Sequence, residues 1–167
     1  MRRLLALILG PLAAALAALV LVAGPAAADS PHYLFATNSI DTSTGALNTA
    51  FKEAGLGTGT TSVNETLTAN ATATYQCYNK AGNKPEGVPK SSGPTGVSAS
   101  LAFPVSHGQT TGTLVAGPLG PGTFSCPSGQ IRFLDEVSYS DTFVTDAFGN
   151  SIHATPDPIS ATLHIKV

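Results

Sequence analysis

Cys77 and Cys126 are the only cysteines of the chain, so one intrachain bond is possible. A reactive thiol pair wants a close C-x-x-C spacing and a depressed thiol pKa, and neither is present. The pair therefore reads as a structural disulfide, formed in an oxidising compartment and closing a loop of about 50 residues. The other residue types that do chemistry are scattered. His32, His107, His153 and His164 show no H-x-H or H-x-x-x-H spacing that would bring two imidazoles to one metal, and no cofactor is expected. Asp135 and Glu136 are adjacent and point to opposite faces of a regular strand, although a bulge there would bring them together as an acid pair. Asp141, Asp146 and Asn150 supply oxygen ligands of the kind calcium takes, but without the dense D-x-D-x-D spacing. The 146–150 stretch reads instead as a hairpin turn, for which Asp, Gly and Asn are suited. No G-x-S-x-G nucleophile elbow occurs. Asn64 and Asn70 each begin an N-x-T sequon and are expected to be bare in a bacterial type of export.

Glu53 is the residue hardest to place. Leu47, Thr49 and Phe51 alternate inward and carry Glu53 to the same side, where a carboxylate needs a partner. Arg132 and Lys52 are candidates. The favoured alternative is that Gly55-Leu56-Gly57 turns the chain away and leaves Glu53 wet. Lys80, Lys84 and Lys90 concentrate positive charge in the 79–96 segment, together with three prolines and four glycines. That segment reads as the longest loop of the fold. It is either a solvated connector or the element that touches a partner.

These groups must be positioned by strands. Over 63–78 the chain alternates, with Val63, Leu67, Ala69, Ala71, Ala73, Tyr75 and Cys77 on one side and Asn64, Thr66, Thr68, Asn70, Thr72, Thr74 and Gln76 on the other. That is the period of a strand with one buried face. It puts Cys77 on the core side, where a bond to a second sheet would cross the interior. Strands are also expected at 97–105 and 159–167, and with a weaker pattern at 32–37, 47–53, 110–116 and 131–145. The last is broken near Asp135-Glu136, where the apolar set slips by one residue, as it does at a β-bulge. No helical period is sustained anywhere. About seven strands punctuated by Gly and Pro point to an all-β, antiparallel immunoglobulin-like β-sandwich, without the buried Trp of antibody domains.

At the start of the chain, Arg2 and Arg3 precede an apolar run from Leu4 to Val22, and Ala26-Ala27-Ala28 offers a small-residue cleavage site. Residues 1–28 are expected to be a signal peptide, leaving 29–167 as one secreted domain that begins at Asp29 and is not anchored in a membrane. Without Arg2 and Arg3, six basic residues face ten acids, a net charge of −4 that argues against a nucleic-acid partner. The mature segment carries 15 Ser and 20 Thr. Hydroxyls rather than charges must keep its surface wet.

Several phrases carry a resemblance: Ser30-Pro31-His32, the 51–57 segment FKEAGLG, the 69–77 segment ANATATYQC and the 122–130 segment GTFSCPSGQ. They resemble a family of small exported proteins of filamentous bacteria and some fungi that has no assigned biochemical function. The resemblance covers most of 29–167 and implies secretion, a β-rich domain and a bond between the residues matching Cys77 and Cys126. That family often carries further cysteines in the loop after the first one, and 79–96 has none. No catalytic residue comes with the resemblance. The expected function is that of a secreted, non-catalytic binding or structural protein with an extracellular protein or surface component as partner. One alternative is an inhibitor of secreted hydrolases acting through the 79–96 loop, and another is a hydrolase built on the scattered acids and histidines. The absence of Trp weakens a carbohydrate-binding version, because sugar rings stack on exposed aromatic platforms.

Overall fold

The alternation of small and branched residues after Ser62 produces an 18-residue strand whose inner face is apolar from Leu67 to Cys77. The computed structural model describes residues 30–83 and 85–167. The expected signal peptide at 1–28, the cleavage point before Asp29, and Lys84 lie outside the described residues. Eight strands and no helix occur among those described: β1 (His32–Ile40), β2 (Leu47–Ala54), β3 (Ser62–Asn79), β4 (Pro85–Pro104), β5 (Gln109–Ala116), β6 (Gln130–Asp146), β7 (Ser151–His153) and β8 (Ile159–Lys166). The fold is all-β, and every strand pairing is antiparallel. One sheet has the order β1-β2-β5. The larger has the order β4-β3-β6-β7, with β8 also paired to β6.

The two sheets share one core. Ala36, Leu47, Phe51 and Leu114 of the smaller sheet pack with Leu67, Ala71, Leu134, Val137, Tyr139 and Val144 of the larger. Phe51 is fully buried and meets Phe103 edge-on, with ring centroids 5.0 Å apart. Gly112 makes room for that pair, since a Cβ at this position would overlap the Phe103 ring.

Every strand read from the sequence is present, and an eighth, β7, is added. At three residues it is too short to show a period. The bulge expected near Asp135 is observed: Thr74 pairs with Glu136 and Tyr75 with Leu134, so Asp135 is the extra residue. A second, unforeseen irregularity follows. Asn70 pairs with Ser140 and Thr68 with Phe143, and Asp141 sits at φ 53°, a left-handed conformation that Asp tolerates better than most residues. Each bulge shifts the inward-facing set by one residue. Leu134 is therefore inward, then Val137 and Tyr139, then Val144 and Asp146.

The loop expected at 79–96 is corrected. Its larger part is strand, because β4 begins at Pro85 and pairs back along β3 as far as Tyr78. Only a short turn remains after Asn79. Proline and glycine suggested a loop, but β4 is an edge strand where proline's missing N–H costs no ladder bond. The Cys77–Cys126 bond is present, but it does not join the two sheets. Cys126 lies in the irregular 117–129 connection between β5 and β6, which the bond ties onto the end of β3. Tyr75 Oη donates to the Leu119 carbonyl and Arg132 Nη1 to the Phe124 carbonyl at 2.7 Å, anchoring the same connection twice more.

Candidate functional site

Three carboxylates converge between the sheets at one end of the core. Glu53 comes from β2, while Glu65 on β3 and Asp146 on β6 are direct cross-strand partners. Glu53 and Glu65 are both 0% exposed and Asp146 is 6%. Tyr33, the cross-strand partner of Glu53, reaches over to donate its hydroxyl to Glu65 Oε2 at 2.5 Å. Asp146 accepts from the backbone amides of Phe148 and Asn150, both at 2.8 Å, and from Asn150 Nδ2 at 2.6 Å. Among the described residues, no N–H or O–H donor reaches either oxygen of Glu53, or Oε1 of Glu65. Above the cluster lies an open depression of about 310 Å³ lined by Pro31, His32, Tyr33, Asn150, Ser151 and Ile152.

The electrostatics follow from that enclosure. Burial, followed by the neighbouring Asp146 and Glu65 carboxyls, pushes Glu53 up to about 9. Burial also raises Glu65, against the Tyr33 hydroxyl hydrogen bond and the neighbouring Glu53 carboxyl, which favour its anion. Burial acts upward on Asp146 too, but the neighbouring Glu53 carboxyl and the hydrogen bonds from Asn150 and Phe148 outweigh it and hold this carboxyl below the ordinary aspartate range. Tyr33 is raised well above the usual phenol range by burial and by Glu65. Glu53 thus carries a proton at neutral pH, and Asp146 is ionised.

The residues singled out in the sequence are distributed differently. Glu53 is not wet, and neither suggested cation meets it: Lys52 points out of the opposite face of β2, and Arg132 is engaged with the 117–129 connection. Asp146 and Asn150 form the expected hairpin turn, while Asp141 accepts from Asn70 Nδ2 at 2.9 Å on the outer face. The three do not assemble a calcium site, and no group of three His, Cys, Asp or Glu among the described residues is arranged to hold a metal ion. Asp135 and Glu136 stay apart. Asp135 accepts from Tyr78 Oη at 2.7 Å, whereas Glu136 is exposed. His164 is half-exposed and stacks on Phe133 at 4.1 Å, donating to the Gly82 carbonyl at 2.8 Å. That contact folds the β3–β4 turn onto the sheet. Lys80 is exposed on this turn and Lys90 on β4 opposite Tyr75.

Sequence reasoning missed Glu65 and Tyr33. The signal for Glu65 was there, since strict alternation from Val63 to Leu67 passes through it on the core side. Asp146 was unreachable by the same reasoning, because only the Asp141 bulge turns it inward.

The outer face of the larger sheet is a second surface of interest. Its cross-strand rows are mostly hydroxyl and amide, with Glu136 between Thr74 and Thr162 and Lys166 beside Phe133 as charges. Ser100, Thr66, Thr145 and Ser151 form one row, Ser98, Thr68, Phe143 and His153 the next, and Thr72 with Ser138 and Ser160 another. Thr66 Oγ1 donates to Ser100 Oγ at 3.0 Å, and Thr145 Oγ1 to Ser151 Oγ at 3.1 Å. Thr74 and Ser91 share a hydrogen bond of 3.1 Å. Phe143, 39% exposed, stands among these hydroxyls against the His153 ring at 4.9 Å. His153 is oriented by Asp157, whose Oδ2 lies 2.6 Å from Nε2 and also accepts the Thr142 amide. No protein-family model, curated protein or solved structure matches this chain.

Proposed function

We infer that the chain is an exported, non-catalytic binding protein of immunoglobulin-like sandwich architecture. Its working surface is the outer face of the larger sheet, and its partner is an uncharged extracellular surface bearing hydroxyl or amide groups. The observation that carries this reading is the set of hydroxyls paired across strands within their rows by side-chain hydrogen bonds, on the face that also exposes the Phe143–His153 pair. Hydroxyls held in fixed positions lose little entropy when they meet a partner, and an exposed ring supplies apolar contact at a defined place. The Cys77–Cys126 bond supports export, because such bonds persist in oxidising compartments. No helix among the described residues is long and apolar enough to cross a membrane. The enclosure of Glu53 and Glu65 weighs against a glycosidase-type role, since acid and base must flank a bound substrate. The resemblance to small exported proteins points the same way.

The test is co-sedimentation of the purified protein with insoluble neutral polysaccharides, chitin and cellulose among them, and with cell-wall preparations. A Thr72→Lys, Phe143→Ala variant should bind at least about tenfold more weakly to whichever material retains the parent, the loss of roughly one anchor contact. A Lys80→Ala, Lys90→Ala variant should bind unchanged. Equal retention of the face variant, or release of soluble sugar by the parent, defeats the proposal.

A second reading is favoured by one observation. β4 runs exposed and extended from Pro85 beside the Cys77–Cys126 bond, the form in which an inhibitor presents a segment to a protease. Stoichiometric titration against trypsin-like and subtilisin-like proteases separates it from the first: an inhibitor suppresses activity at one equivalent and stays intact.

A further inference from the structure

Three acids on three strands of two sheets, with no cation beside them, pose a physical problem. Among the described residues, side-chain ion-pair contacts are made by His153 with Asp157 and His164 with Asp135, and neither touches this cluster. Three buried charges at this spacing would drive the sheets apart. We propose that a proton on Glu53, shared towards Glu65 and Asp146, fastens β2 to the β3–β6 ladder, and that its loss in alkaline medium opens the seam between the sheets at this end.

Each element around Glu53 contributes to that arrangement. β1 supplies Tyr33, whose hydroxyl is spent on Glu65. β3 and β6 supply Glu65 and Asp146 as facing acceptors. β5 places Thr110 opposite Glu53, but its hydroxyl donates to the Pro104 carbonyl at 3.0 Å. His32, at the rim, is bound to the Ser30 carbonyl, and Lys52 lies on the other face of β2. The amides of Phe148 and Asn150 are taken by Asp146. Among the described residues, a hydrogen held by the carboxyls themselves, on Glu53 and shared with Glu65, is what remains to join them. The seam also bears on the outer face: Asp146 organises the 146–150 hairpin that returns the chain as β7, and β7 carries His153 beside Phe143.

The sign follows from linkage. Burial among acids moves Glu53 from the ordinary 4.5 to about 9, so the folded state holds one more proton than the unfolded state between those values. The stabilisation is complete below the lower value and is lost as pH rises through the upper one. Asp146 acts oppositely: its contribution is present above the ordinary aspartate value of 3.8 and is lost as pH falls through its lowered one. Stability should therefore peak in mildly acid medium.

The experiment compares thermal unfolding of the parent and Glu53→Gln from pH 5 to pH 9. The Gln amide is neutral at every pH and can donate to both neighbouring carboxyl groups. The parent should lose at least about 10 °C in Tm across this range, from one extra bound proton in a domain of this size. The variant should change by less than about 3 °C and melt above the parent at pH 9. Parallel slopes in the two proteins overturn the proposal. So does a rise in the parent's Tm on adding millimolar calcium at pH 7.5, which would assign the cluster to a metal. If Glu53→Gln does not fold, infrared difference spectra of the parent decide: a protonated-carboxyl stretch present at pH 7 and gone at pH 10 supports the shared proton, and its absence at pH 7 refutes it.

Discussion

Replacing Cys77 and Cys126 together with alanine removes a crosslink between residues 49 apart in sequence. In the chain-entropy model, closing a loop of that length lowers the entropy of the unfolded chain by an amount equivalent to about 4 kcal/mol at 25 °C. The folded state loses less, because Tyr75 and Arg132 still hold the 117–129 connection through the Leu119 and Phe124 carbonyls. The effect should therefore lie mainly in the unfolded ensemble. Urea melts followed by far-UV circular dichroism should show a fall in unfolding free energy of about 4 kcal/mol, with an m-value that rises as the unlinked chain expands. Reducing the parent with a thiol should reproduce both changes. A loss below about 1 kcal/mol, with the m-value unaltered, would refute the entropic account. A larger loss with an unchanged m-value would place the bond's contribution in the folded state, as an anchor that the other two contacts cannot replace.

Three further substitutions test the facing and packing of the sheets. Ala71→Asp puts a charge at a position 1% exposed and should cost at least about 3 kcal/mol, whereas Thr72→Asp on the hydroxyl face should cost less than about 1 kcal/mol; equal melting temperatures would show the face assignment to be wrong. Gly112→Ala must displace the Phe103 ring from its edge-on contact with Phe51 and should destabilise by about 1–3 kcal/mol in a chemical-denaturation series, and an unchanged midpoint would mean that Phe103 is free to move.

Much of the fold was legible because period-2 alternation is a local property. The 63–78 pattern, the 159–167 pattern and the slip at Asp135 each need only neighbouring residues to be read, and each corresponds to an observed feature. Local composition misled where position in the sheet decided the outcome. The prolines and glycines between Pro85 and Gly96 mean loop in an interior strand and are tolerated in an edge strand, so 79–96 read as a loop while β4 runs through most of it. The partner of Cys77 was legible by count, but the structural placement of Cys126 was not.

The sequence by itself determined an all-β chain, a single possible disulfide, and the alternation of β3, on whose inward side Glu65 falls although it was not singled out. These follow from residue type and spacing, which act over one strand at a time. Only the tertiary structure decided that Glu53, Glu65 and Asp146 meet. Their meeting requires β2 to face the β3–β6 ladder across the core, and it requires the second bulge of β6, at Asp141, which reverses the shift made by the first at Asp135 and so turns Asp146 inward. A bulge that reverses the facing of every later residue in its strand is paid for by the whole sheet's hydrogen bonds and packing, and no short window of sequence contains that balance.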